Sequence, residues 1–187
     1  MKTNYFVDRK DWRKWLETNF ETEDELWLAY PLKQTGKERI LYNDAVEEAL
    51  CFGWIDSTVK SLNAETTIQR FCKRRKNSTF SQPNIERLKW LNENNLIHDS
   101  IRKDVLKIIQ QEFIFPKDII EKLKSDTTVW DNYQSFPESY KRIRIAYIES
   151  ARQRPEEFEK RLNNFINKTQ ENKLIKGFGG IEKYYEK

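Results

Sequence analysis

The spacing of apolar residues changes once along this chain, and that change restricts the fold more than any other feature. Before residue 80 the period is two. In "ELWLAYPL", Leu26, Leu28 and Tyr30 fall on one side and Trp27 and Ala29 on the other, a strand ended by Pro31. "WIDSTVKSL" and "TTIQRFCKR" alternate in the same way around the turn "NAE". From Ser81 onward the period lengthens to three and four, as in Ile85, Leu88 and Leu91, then Ile101, Val105 and Ile108, then Phe158, Leu162 and Phe165. Two helices accompany the strands. One is capped by Asp8 and carries Trp12, Trp15, Leu16 and Phe20. The other spans 44–52, with Asn43 or Asp44 as its cap and Gly53 in the left-handed position that ends it. The expected architecture is α+β: a small antiparallel sheet of about three strands with covering helices, then an all-helical bundle of about six helices. The sheet-containing half is expected over 1–80 and the helical half over 81–187, folding as one cooperative unit.

Composition narrows the functional classes. Charged residues make up 34% of the chain, yet six Trp, eight Tyr and eleven Phe supply enough large apolar surface for a core. The net charge of +4 is nearly balanced, so any nucleic-acid contact has to come from a local patch. Two cysteines outside a CxxC pair and a single histidine cannot assemble a four-ligand zinc site, and no metal or cofactor is expected. The start "MKTNYFVDRKDW" lacks an apolar h-region, and no apolar run is long enough to span a bilayer. A cytoplasmic location follows as the expectation.

"LYNDAVEEALCFGWIDS" followed by "RFCKRRKNSTFSQPNIERLKWL" resembles the YdeI/OmpD-associated, or bacteriocin-protection, family. That family shares an "AVEEALCFGWIDS" block and a later block close to R-F-T-P-R-R-x-x-S-x-W-S-x-x-N. The resemblance is strongest over 42–91 and weaker after 135, where "FPESYKRIRIAYIESA" stands for the family's "SPSYRRxYxxWIxxAK". Lys73 replaces the usual Pro, Cys72 the Thr and Phe80 the Trp, and Pro155, Glu156 and Glu157 displace a set of basic residues. The resemblance implies a role in bacterial stress or antimicrobial and envelope defence, and it carries over no catalytic residue.

The block from Arg70 to Asn84 concentrates the charge chemistry. Arg70, Lys73, Arg74 and Arg75 are followed by Ser78 and by Ser81, which opens a helix with Asn84 one turn in. Guanidinium groups beside exposed helix N–H groups suit a phosphate or carboxylate. Asp56 is placed to orient an arginine. Trp54, at a helix-to-strand corner, either walls the site or plugs the seam between sheet and helix, and the seam is the favoured place for it. The bland alternative is a solvated strand end, with Ser81 a simple cap and Asp56 paired with Arg70 across strands. The favoured reading is a non-catalytic protein binding an anionic small molecule or phosphate-bearing partner at this corner. A second is an enzyme on a phosphorylated or carboxylated substrate with Asp56 as acid/base. A third, less favoured, is a nucleic-acid or protein adaptor using Lys73 to Lys76 with Phe80, Trp90 or Tyr42 for stacking. His98, Cys51 and the adjacent Glu47 and Glu48 form no recognisable catalytic set.

Overall fold

A computed structural model describes residues 2–75, 78–177 and 181–185. In chain order the elements are β1 (Thr3–Asn4), α1 (Arg9–Asn19), β2 (Glu25–Pro31), α2 (Tyr42–Cys51), β3 (Trp54–Asn63), β4 (Thr66–Lys73), α3 (Gln82–Glu93), α4 (Asp99–Ile109), α5 (Lys117–Lys124), α6 (Thr127–Ser135), α7 (Glu138–Glu149) and α8 (Pro155–Gln170), with 3₁₀ turns at Lys33–Thr35 and Ile181–Tyr184. The sheet has four strands in the order β1-β2-β4-β3. Its β2-β4-β3 core is antiparallel as expected, but β1 adds in parallel to β2, so the sheet is mixed rather than a three-stranded antiparallel one. Two residues carry no periodicity, which is why β1 left no trace in the sequence pattern.

The chain packs as two units. The first comprises 1–80 and 87–109, the second 81–86 and 110–187. A division at residue 80 does not follow this packing, because most of α3 and all of α4 go with the sheet. No helix among the described residues is long and apolar enough to cross a membrane.

In the first unit α1 and α2 cover one face of the sheet. The register sets Leu26 opposite Phe71 and Leu28 opposite Gln69, and strand alternation then turns Trp27, Ile68 and Arg70 to the other face. Trp12 from α1 lies against Phe71, with centroids 5.6 Å apart, and its indole N–H donates to Ala45 O at 3.0 Å. Trp54 is fully buried, meets the stacked Trp12 and Trp15 edge-on, and its indole donates to Phe20 O at 3.2 Å. Every indole that is buried here keeps a partner, as burial of a polar N–H requires.

Helix α1 starts as expected, with the Asp8 carboxylate accepting from Lys10 N and Asp11 N. Helix α2 does not: it starts after Leu41 without a side-chain cap. The two capping candidates are recruited by arginines instead. Asn43 Oδ1 accepts from Arg87 Nη2 at 3.1 Å, and Asp44 faces Arg9 at 3.3 Å. Further along α2, Glu47 and Glu48 are buried. Glu48 takes Arg9 Nε at 2.7 Å and Arg13 Nη1 at 2.8 Å, while Arg9 Nη2 lies 3.4 Å from Glu47. This ion cluster staples α1 to α2. The helix ends at Gly53, whose φ of +72° is the left-handed conformation anticipated for it.

In the second unit, α5 to α8 enclose Ile119, Val129, Tyr140, Ile148, Leu162 and Phe165. Glu86, at the start of α3, accepts a two-point bond from Arg142 on α7 at 2.7 and 2.9 Å. The glycine-rich part of the tail lies outside the described residues. Beyond it Ile181 and Tyr184 are buried, and Ser139 donates to Tyr184 O at 3.0 Å.

Two stability outcomes follow. Glu48→Gln leaves Arg9 and Arg13 short of a carboxylate and is expected to lower unfolding free energy by about 2–4 kcal/mol in urea denaturation. A change within about 0.5 kcal/mol, the range of an ordinary surface substitution, would contradict the staple. Because α3 contributes to both units, thermal unfolding is expected as a single calorimetric transition, and two resolved transitions would show independent units.

Candidate functional site

Strand β4 delivers its basic residues one after another to the sheet corner, and their partners differ. Arg70 lies on the sheet face away from α1 and α2. Its Nε donates to Glu25 Oε2 at 2.6 Å, and its Nη1 lies 3.4 Å from Ser57 Oγ and 3.5 Å from Cys72 Sγ. The bond from Arg70, followed by the one from the Trp27 indole, holds the Glu25 carboxyl below its ordinary range. Lys73 reaches Glu21 O at 2.8 Å and Asp24 Oδ1 at 3.1 Å. Both charges are therefore already met by acidic neighbours.

Among the described residues, no acidic neighbour meets Arg74. Its backbone N–H donates to Gly53 O at 3.0 Å, which ties the end of β4 to the end of α2. Its guanidinium lies flat over Phe80, 3.6 Å from the ring centroid, and Nη2 donates to Thr79 O at 2.6 Å. Nε and Nη1 are buried without a hydrogen-bond partner. Burial lowers the guanidinium's pKa, and the more remote Asp56 and Cys72 only partly offset it. It remains a cation at neutral pH, but a poorly compensated one. Arg75 beside it is exposed, and its carbonyl accepts from both Ser78 N and Ser78 Oγ.

Arg74, Arg75 and Ser78 form a wall shared by two hollows of the first unit. The polar one, about 590 Å³, is lined also by Ser57, Arg70, Cys72 and Lys73. The apolar one, about 440 Å³, lies beneath Phe80 and is floored by Leu50, Leu88, Ile101, Val105 and Ile108. Gly53 lines it as well, where a Cβ would come to 3.5 Å from Ile101 Cγ2.

Five of the nine residues expected at the corner (Arg70, Lys73, Arg74, Arg75 and Ser78) thus line one hollow. Four do not. Trp54 is sealed in the core and cannot wall a site. Asp56 stands opposite Phe71 in register, so it faces α2 rather than Arg70, and its carboxylate accepts from the Tyr42 hydroxyl at 2.6 Å. The expected Asp56–Arg70 pair is therefore not made: strand alternation puts the two on opposite faces. Burial, then this bond to Asp56, pushes the Tyr42 hydroxyl's pKa up. Ser81 and Asn84 belong to the second unit and line neither hollow. Ser81 serves the helix start through its carbonyl, which accepts from Asn84 N and Ile85 N at 2.9 and 3.0 Å.

The stacking residues of the nucleic-acid reading are occupied in part. Phe80 is covered by Arg74, Tyr42 is bonded to Asp56, and Lys76 lies outside the described residues. His98 accepts from Ser100 N through Nδ1 at the start of α4 and packs on Phe20 and Phe52. Both cysteines are free. The apolar floor is the part of the site that sequence reasoning missed. Its residues sit on ordinary helical stripes, and nothing in their spacing separates a hollow's floor from a filled core.

Burial pushes the Cys51 thiol up to about 12, whereas Cys72 lies half-exposed beside Arg70. A thiol-reactive disulfide reagent at neutral pH is therefore expected to modify Cys72 alone in the native protein and both thiols after denaturation. Rapid native modification of Cys51 would contradict the packing of α2.

Two family models match this chain. One, described as a domain of unknown function (DUF8412), matches residues 4–104. The other, described as bacteriocin-protection, YdeI or OmpD-associated, matches residues 112–172. The resemblance to the latter family is confirmed, but at the C-terminal segment where the motifs were weaker, while the 42–91 blocks fall within the former. The two matches meet close to residue 110, where the packing also divides. Comparison with curated proteins and with solved structures gives no significant match.

Proposed function

The chain belongs to the family described as a domain of unknown function (DUF8412), and we propose that it is a non-catalytic binding protein that takes an anionic group at Arg74. One observation carries this reading. Among the described basic residues of the corner, Arg74 alone combines partial burial, two unpartnered guanidinium nitrogens and the absence of any carboxylate. An unsatisfied buried donor costs about 1–3 kcal/mol, and an arriving oxyanion recovers it. A ligand oxygen reaches these nitrogens when the guanidinium slides along the Phe80 face. That movement breaks no ion pair, because none is made. Arg75 adds a second cation at the same wall. The bacteriocin-protection segment at 112–172 supports a place in antimicrobial or envelope defence. An acid/base role for Asp56 has no such support, since its carboxylate is held by Tyr42 and lines neither hollow.

Thermal unfolding in sodium phosphate against sodium chloride at equal ionic strength tests the reading. At tenfold excess over Kd, one site stabilises by about 1.4 kcal/mol, a rise of roughly 3–6 °C for a chain of this size. The rise is expected to persist in Arg70→Ala, whose side chain is committed to Glu25, and to vanish in Arg74→Ala. No rise in the wild type, or an equal rise in Arg74→Ala, would overturn it.

A further inference from the structure

The hollow under Arg74 has a composition that inorganic anions do not use. Its floor is entirely aliphatic, supplied by Leu50 at the end of α2, Leu88 of α3, and Ile101, Val105 and Ile108 of α4. Arg74, Arg75 and Ser78 supply polar groups to its wall, which it shares with the polar hollow. Asp104 and Lys107 also line it and pair with each other at 3.0 Å. The charge left to a ligand is therefore that of the arginines, where the apolar trough adjoins the polar hollow. A dianion held there would keep most of its hydration shell and leave the trough uncovered. A single negative charge on an apolar body meets both parts at once. The volume of about 440 Å³ lies within the roughly 300–1,000 Å³ usual for small-molecule sites. A macromolecular partner would need a far larger contact surface.

Resting on the anion reading above, we infer that the ligand is an amphipathic carboxylate, with its head on Arg74 beside Arg75 and an aliphatic or aryl body laid over Leu50, Leu88, Val105 and Ile108. Gly53 is part of the same design. It exposes bare backbone to the trough at the point where its carbonyl fixes Arg74, so head and body sites are set by one residue. The Phe80 ring under the guanidinium closes the boundary between them.

Titration calorimetry of the full chain with acetate, butyrate, hexanoate and octanoate below their micelle concentrations, with 1-octanol as the neutral control, tests this. Affinity is expected to rise about two- to fourfold per methylene as apolar surface leaves water. Octanol is expected to bind at least tenfold more weakly than octanoate. Arg74→Ala should reduce octanoate to the octanol level. Ile108→Glu, folding checked by circular dichroism, should weaken octanoate at least tenfold, and Ile108→Ala gives a graded loss if the charged variant does not fold. Affinity independent of chain length, with Arg74-dependent stabilisation by phosphate intact, would overturn the amphipathic ligand while leaving anion binding standing. Equal binding of octanol and octanoate would overturn the carboxylate head. Silence toward every carboxylate and toward phosphate would remove both readings.

Discussion

An arginine drawn out of water against an aromatic ring, with no carboxylate to meet it, organises the functional account of this protein. Charged groups enter protein interiors when something balances them, and several cations of the first unit meet carboxylates. Arg9 and Arg13 converge on Glu48, Arg70 takes Glu25 and Lys73 takes Asp24. Against that background Arg74, just past the end of β4, departs from Arg70 and Lys73 on the strand. Its stacking on Phe80 and its bond to Thr79 O keep the side chain in place, but they do not neutralise it.

What holds Arg74 there is the junction between α2 and the sheet. The helix must stop and the chain must enter β3 within two residues, which Gly53 allows through its positive φ. The freed Gly53 carbonyl then fixes the backbone of Arg74 as β4 ends. Behind this junction Trp12, Trp54 and Phe71 fill the space between helices and sheet, and the Arg9–Arg13–Glu48 cluster holds the two covering helices together. The corner that carries Arg74 is thus mounted on a packed aromatic core of the first unit.

Much of this framework was legible in the chain itself. Alternation in "ELWLAYPL" and "TTIQRFCKR" places Leu26, Leu28 and Phe71 on the buried face, and Asp8 and Gly53 sit where helix ends need them. Local rules govern those positions, so local sequence suffices. Choices among partners are a different matter. Nothing local says that Asn43 will leave a helix cap for Arg87, or that Asp56 will meet Tyr42 rather than Arg70. Register and long-range packing decide both. The apolar trough was hidden for a related reason: Val105 and Ile108 obey the same helical period whether a neighbour fills the space beside them or leaves it open. The boundary between the two units was hidden because α3 continues through it without a break in pattern. Even the family resemblance held at the segment with the fainter motifs, 112–172.

The most direct measurement is the nitrogen-detected NMR signal of the Arg74 Nε–H group, followed while octanoate is added at constant ionic strength. An Nε without an acceptor in the free protein should move markedly downfield in proton shift and saturate as the carboxylate closes on it, while the Nε–H of Arg70, already bonded to Glu25, stays in place. An Arg74 signal that remains still, or one that drifts in step with Arg70 and never saturates, would show that the uncompensated guanidinium is a feature of packing and not a binding site.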